Sequence, residues 1–178
     1  KSFRPGDVVK TLSGKTIEII STDAEGRLIL ADALTYAQKF DPCAVIDLAT
    51  LTGASITALG HHAACLFSSD DLLANQLIKS GEETHEKLWR LPLWPEYRKQ
   101  IEGEVADLKN SGGSPGGANT AAALLHEFAD GYPWAHIDIA GTATSEQSKY
   151  YITKGGVGYG VRLLTHFAQT WSQNLSKI

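Results

Sequence analysis

The hydrophobic period of this chain changes repeatedly, and each change predicts an element. Residues 16–20 (TIEII) form a short β-type run that breaks at Ser21 and Thr22. Leu28, Ala31, Leu34 and Ala37 then recur at three-residue steps, which predicts a helix with a small apolar face that stops before Asp41-Pro42. Residues 44–49 (AVIDLA) are a continuous apolar run of the kind buried in a central strand. That strand delivers Thr50-Leu51-Thr52-Gly53 at its carboxyl end, the edge where open α/β sheets gather ligands. A further strand is predicted over 63–67, and Ser68-Ser69-Asp70-Asp71 is a good start for a helix over 72–80 with Leu73, Leu77 and Ile78 on one side.

Residues 81–117 follow no single period, because Pro92 and Pro95 interrupt them. Within this stretch, 109–119 (KNSGGSPGGAN) is a Gly-rich loop that opens a helix at Asn119 or Thr120. Leu124, Leu125 and Phe128 mark the buried face of that helix, and Gly131 with Pro133 ends it. Residues 134–140 read as another strand, and Val157, Val161, Leu164, Ala168 and Trp171 repeat as an amphipathic final helix. No internal repeat, heptad array or low-complexity linker is present. The alternation of strands and helices predicts an α/β fold with helices on both faces of a central sheet.

Composition narrows the function classes. A chain of 178 residues that is 43% hydrophobic and 20% charged has the profile of one globular domain with a sizeable core. Its net charge of −4 offers no general attraction to nucleic acid. There is no apolar run long enough for a membrane span and no hydrophobic targeting core at the start, so a cytoplasmic protein is expected. Cys43 and Cys65 both have apolar neighbours in sequence and read as reduced core thiols. The absence of Met and the start at Lys1 suggest a piece of a longer polypeptide.

The candidate chemistry concentrates where the 16–20 strand meets its helix, at Asp23, Glu25 and Arg27. Thr22 followed by Glu25 fits a capping box, with Asp23 adding helix-dipole stabilisation, and on spacing alone that is the commoner arrangement. Two carboxylates separated by one residue in a turn can also point at one cation, or bridge two, with an arginine beside them to hold an anion. Elsewhere the prospects are weaker. His61-His62 lack an i+4 partner histidine and read as surface or interface residues. His136 reads as a hydrogen-bonded core histidine, the Gly-rich loop lacks a P-loop ending and reads as a turn, and no G-x-S-x-G elbow is present.

Residues 22–28 (TDAEGRL), continued by 29–34 (ILADAL), resemble the signature segment of the leucyl (cytosol) aminopeptidases, a family with a dinuclear metal centre. Other landmarks stand in that family's order: 4–9 (RPGDVV), 47–54 (DLATLTGA), 89–93 (WRLPL), 117–123 (GANTAAA) and 134–141 (WAHIDIAG). The resemblance runs nearly end to end. It implies a three-layer α/β/α catalytic domain with a mostly parallel or mixed central sheet, of which residues 1–178 are the C-terminal portion with the upstream part absent. It implies an enzyme that releases N-terminal amino acids from peptides with a free N-terminus. By the same resemblance Asp23 is a metal ligand through carboxylate and main-chain oxygen, Glu25 is shared by two metals, and Arg27 holds a bicarbonate ion. Backbone groups of Leu51 and Gly53 would bind the substrate peptide, while Thr50 and Ala140 would line the pocket for its first side chain. The implied cofactors are two divalent metal ions, zinc or manganese with magnesium a third candidate. The implied assembly is a homo-oligomer, a hexamer.

Departures from the family pattern qualify this. An upstream segment of the form K-G-x-T-F-D-S-G-G, a catalytic lysine after it and another aspartate lie outside these 178 residues. Ser21 stands where the family usually has Asn, and Thr142 and Ala143 are small at the expected pocket floor. The chain alone is therefore expected to be inactive. The alternative is a non-catalytic oligomeric scaffold or macromolecule-binding module of the same fold.

Overall fold

The structure is a computed structural model that describes residues 2–148 and 150–175, the last four of these by backbone alone. In chain order the elements are β1 (Val8–Lys10), β2 (Thr16–Glu18), α1 (Gly26–Ala37), β3 (Val45–Ala49), α2 (Gly53–Leu59), β4 (Ala64–Ser68), α3 (Asp71–Thr84), β5 (Leu88–Arg90), α4 (Pro95–Gln100), β6 (Leu108–Lys109), α5 (Gly117–His126), β7 (Trp134–Asp138), β8 (Thr144–Ser145), β9 (Gly155–Gly156) and α6 (Val161–Leu175). A single-turn 3₁₀ helix, Thr22–Ala24, leads into α1. The backbone forms two compact units: residues up to Ile46 with Pro92–Trp134, and Asp47–Leu91 with the residues from Ala135 on.

In the first unit β1 pairs antiparallel with β2, and β2 pairs parallel with β6. The β-type run at 16–20 is shorter than its pattern suggests. Ile19 still donates to the Asp7 carbonyl at 2.8 Å, but Gly6 in place of Asp7 donates back to the Ile19 carbonyl at 2.8 Å, and Ile20 donates to the Asn110 side chain at 2.8 Å. Helix α5 packs on both α1 and α4. Its alanine-rich sequence allows that close approach, and every residue from Ala118 to Leu125 is buried. The helix starts slightly earlier than its apolar period indicates, because Gly116 at φ 63° supplies a left-handed residue directly before it. Pro95, which reads as an interruption, opens α4: a proline needs no N–H partner in a first helical turn.

In the second unit the sheet runs β3-β7-β4-β5, with β4 parallel to β5 and antiparallel to β7. The α/β class and the mixed sheet agree with the expectation from sequence. Strand β4 is buried at all five positions, whereas β3 is an edge strand of half-buried residues, so the apolar run at 44–49 does not mark a central strand here. Helix α3 begins as its sequence indicates, with Asp70 Oδ1 accepting from the Leu73 N–H at 2.7 Å.

Helix α6 corrects the predicted stripe. Val157 precedes the helix, Val161 is 67% exposed and Ala168 is exposed, whereas Leu163 and Phe167 are buried. The cause is a side chain outside the helix: buried Glu86 accepts from Gly160 N at 3.1 Å and Leu163 N at 2.8 Å, which sets the rotation of the first turn. Leu163 then faces α3 at Gly81, where a Cβ would lie 2.6 Å from the Glu86 carbonyl and 3.4 Å from Leu163. The two cysteines also differ from each other. Both are free thiols, but Cys43 sits exposed in the loop after Pro42 and only Cys65 is in the core.

Candidate active site

The junction of β2 and α1 does not form a capping box. Ser21, not Thr22, is the extended residue before the 3₁₀ turn, at φ −129° and ψ 129°, and its own hydroxyl does not cap that turn. Glu25 is itself helical, at φ −74° and ψ −33°, and makes no cap bond to α1. A carboxylate can reach back to an N-cap N–H only from the third helical position, which Glu25 does not occupy. Asp23 and Glu25 are both exposed, and neither carboxylate takes part in a hydrogen bond or salt bridge among the described residues, although the Glu25 carbonyl accepts from Leu28 N at 3.0 Å and Ile29 N at 3.3 Å. Two oxygen-donor side chains thus stand two residues apart at the start of a helix, without structural duty. Their chemistry suits hard or borderline divalent cations such as manganese, magnesium and zinc. Among the described residues no group of three or more His, Cys, Asp or Glu comes within joint metal-holding reach.

Arg27, one turn further along, is buried, at 8% exposure, and one guanidinium nitrogen donates to the Asn110 carbonyl at 2.7 Å. Asn110 has no exposed surface. Its side-chain oxygen accepts from the N–H groups of Ile20 at 2.8 Å and Ser21 at 3.1 Å. Its amide nitrogen donates to the Ser21 carbonyl at 2.6 Å and the Ala24 carbonyl at 3.4 Å. The sequence pattern does not single out Asn110. It looks like an ordinary turn residue of the Gly-rich loop, and its partners lie some 90 positions upstream.

In the second unit, Thr50, Leu51 and Gly53 occupy the loop between β3 and α2, and Ala140 follows β7. One carboxylate organises both segments. Asp138, 1% exposed, accepts from Leu51 N at 3.1 Å and Ala140 N at 3.1 Å through one oxygen, and from the Thr52 hydroxyl at 2.6 Å through the other. The Thr52 hydroxyl oxygen in turn accepts from Ser55 N at 3.1 Å, capping α2. The Leu51 N–H is therefore committed, which leaves its carbonyl as the backbone group it can offer a ligand. Gly53, the first residue of α2, has no intrahelical acceptor for its N–H. Thr50 is exposed and Ala140 half-buried. Gly141 holds the Ala140 loop close to the end of α2, where a Cβ would lie 2.2 Å from the Gly60 carbonyl. A signal for Asp138 was present in the sequence: an acid inside a buried strand requires donors around it.

The histidines behave as their sequence contexts indicate. His136 is a core residue, 1% exposed, with Nδ1 2.5 Å from Asp47 Oδ1 and its ring stacked on Phe67. His61 and His62 are exposed, and His61 Nδ1 lies 2.6 Å from the Gly141 carbonyl. The Gly-rich loop is a packed turn, closed by Gln100 donating to the carbonyls of Gly112 and Pro115.

Fold and presented groups define an α/β protein whose ligand-binding potential lies in strand-to-helix loops. The chain belongs to the cytosol aminopeptidase family: the model of that family's catalytic domain matches residues 1–165. A probable cytosol aminopeptidase of Syntrophotalea carbinolica is 61% identical over 163 residues, 92% of this chain and 33% of the relative. One from Roseiflexus castenholzii is 56% identical over 173 residues, 97% of this chain and 36% of the relative. Among solved structures, a tomato leucine aminopeptidase mutant superposes with a TM-score of 0.87 at 44% identity, covering 93% of this chain and 32% of that one. The bottromycin maturation enzyme BotP in complex with Mn superposes with a TM-score of 0.90 at 41% identity, covering 95% of this chain and 38% of that one. The chain spans about a third of the length of the curated relatives it matches. No helix of the described residues is long and apolar enough to cross a membrane.

Proposed function

We propose that residues 1–178 are the C-terminal portion of a metal-dependent aminopeptidase catalytic domain, and that the complete gene product releases N-terminal amino acids from peptides in the cytoplasm. Family membership supports the reaction class. The observation that carries the site is the pair of exposed carboxylates, Asp23 and Glu25, released from capping on a turn that the buried Asn110 amide holds. Asp23 and Glu25 are the proposed ligands for two divalent ions, with manganese favoured by the manganese complex of BotP. When bound, such ions supply Lewis acidity and an activated water. Arg27 is proposed to orient a bicarbonate that accepts a proton, a planar anion suited to a guanidinium fork. The Leu51 carbonyl and the Gly53 N–H hold the substrate backbone, and Thr50 and Ala140 face its first side chain. A homo-hexamer is the proposed assembly, read by sedimentation of the complete protein.

Turnover of leucine p-nitroanilide by the complete gene product with added manganese tests this reading. Hydrolysis that requires a free amino terminus is expected, and equal cleavage of the N-acetylated substrate overturns it. Two carboxylates do not fill the coordination of two cations. The isolated 178-residue chain is therefore expected to stay at background and to show no tight two-site binding in calorimetry.

A further inference from the structure

We infer that Asn110 is the positioning residue of the acidic turn: one buried carboxamide sets the backbone from which Asp23, Glu25 and Arg27 project, and thereby the geometry with which the carboxylates meet a divalent cation. The inference rests on the ligand roles proposed above.

The parallel pairing of β2 and β6 brings residue 110 into place. Ile17 lies opposite Leu108 and Glu18 opposite Lys109, and Asn110 N donates to the Glu18 carbonyl at 2.9 Å. At that point the main-chain ladder ends and the Asn110 side chain continues it. The amide oxygen takes the next two N–H groups, Ile20 and Ser21, while the amide nitrogen takes the carbonyls of Ser21 and Ala24. These contacts bracket Asp23 on both sides. The Asn110 carbonyl adds the bond from Arg27. One residue thus bonds to Glu18, Ile20, Ser21, Ala24 and Arg27, and it closes the strand end, the 3₁₀ turn and the first turn of α1 into one unit.

Few side chains can do this. The site presents two donors on one side and two acceptors on the other, so its occupant needs an acceptor and a two-hydrogen donor on adjacent atoms. Aspartate supplies acceptors alone, and its second oxygen would face two carbonyls. Leucine supplies neither, and glutamine is a methylene longer in a site with no exposed surface. Burial excludes water as a substitute, so removal of the amide leaves turn groups without partners and frees the turn to move. A support of this kind changes metal affinity by about 10–100-fold when lost.

The test uses the complete gene product with manganese as the probe. Asn110→Asp is expected to weaken manganese binding in calorimetry by about 10–100-fold. The same variant should lower kcat at saturating manganese while changing KM by less than about threefold, with the far-ultraviolet circular dichroism retained. A folded Asn110→Asp protein with unchanged manganese affinity overturns the inference. Glu25→Gln, measured alongside, separates the two readings. If Glu25→Gln loses manganese and Asn110→Asp does not, only the positioning role fails; if Glu25→Gln binds manganese as the unmodified protein does, the ligand assignment itself fails. Should Asn110→Asp not fold, amide hydrogen exchange of the unmodified protein decides. Protection of the Ile20 and Ser21 amides as strong as in β2 supports the role, and exchange as fast as in an exposed turn overturns it.

Discussion

Two loops carry the candidate chemistry, and each is held by one buried polar residue of opposite character. The acidic turn of the first unit is held by a neutral amide, Asn110, and the β3–α2 loop of the second by a carboxylate, Asp138. The difference follows from what must be held. Asn110 faces two N–H groups and two carbonyls, which an amide alone can match, and it adds no third negative charge near Asp23 and Glu25. Asp138 faces three donors and no acceptor, the condition under which a buried carboxylate is well satisfied. The turn proposed to gather cations and the loop proposed to bind a peptide backbone thus have different anchors, and exchanging their chemistry is the most direct way to break the contrast.

The largest effect is expected at the charges that the neutral anchor supports. Glu25→Gln in the complete gene product should reduce kcat by more than ~10²-fold if Glu25 is the direct ligand proposed, because a direct ligand outweighs the outer partners whose loss costs that much. Its melting temperature should not change, since Glu25 makes no cap bond or ion pair that an amide would lose. Kinetics, metal content and thermal melts read the three quantities together. Unchanged turnover and metal content would remove Glu25 from the ligand set.

Next in size is Arg27. Its stem is buried and its head is tied to the Asn110 carbonyl, so Arg27→Lys keeps charge and packing but loses the planar fork. A rate loss of ~10²-fold and loss of stimulation by added bicarbonate are expected, at the lower end of what a positioned base contributes. A lysine variant that bicarbonate still accelerates as it does the unmodified protein would restrict Arg27 to holding Asn110.

The carboxylate anchor is tested by an asymmetry between two substitutions. Asp138→Ala leaves the Leu51 N–H, the Thr52 hydroxyl and the Ala140 N–H without their acceptor, a loss of roughly 3 kcal/mol. Asp138→Asn keeps the oxygen that serves both N–H groups, and Thr52 can reverse its hydroxyl, so about 1 kcal/mol is expected. Urea unfolding distinguishes them. Equal losses would show that volume, not acceptor chemistry, matters at this position.

Much of this contrast was legible in the sequence, and the illegible part has a common cause. Asp23, Glu25 and Arg27 stood out because they are local, and the Asp70 start of α3 because a cap lies within four residues of its partner. The 44–49 run reads as a central strand because apolar character does not report strand order. The α6 stripe predicted by its own period ignores Glu86, which lies 74 positions before Gly160 and bonds the first turn of the helix. Asn110 and its partners are separated by 86 to 90 positions. Local pattern carries no information about which distant groups a buried side chain meets, so the distant partners of both anchors stay hidden even where, as at Asp138, the residue itself stands out.

The smallest effect uses Cys65 as a reporter of the charge on Asp138. Burial first, and the negative charge of Asp138 second, push the Cys65 thiol from 9.0 up to about 12. The unfolded chain therefore releases this proton near pH 9 while the folded protein holds it. Since the folded state binds more protons across that window, stability is fully present below pH 9 and falls as pH rises toward about 12. Burial also pushes the Tyr159 hydroxyl upward, so the alkaline loss is not due to Cys65 alone, and the difference between the unmodified protein and Cys65→Ala isolates its share. Urea unfolding from neutral to alkaline pH should give a shallower decline in Cys65→Ala. In Asp138→Asn the Cys65 share should shrink but persist, because burial remains when the charge is gone. At neutral pH iodoacetamide should label exposed Cys43 and spare Cys65. A Cys65 share that is unchanged in Asp138→Asn would mean that the carboxylate's charge is neutralised by its three donors before it reaches the thiol.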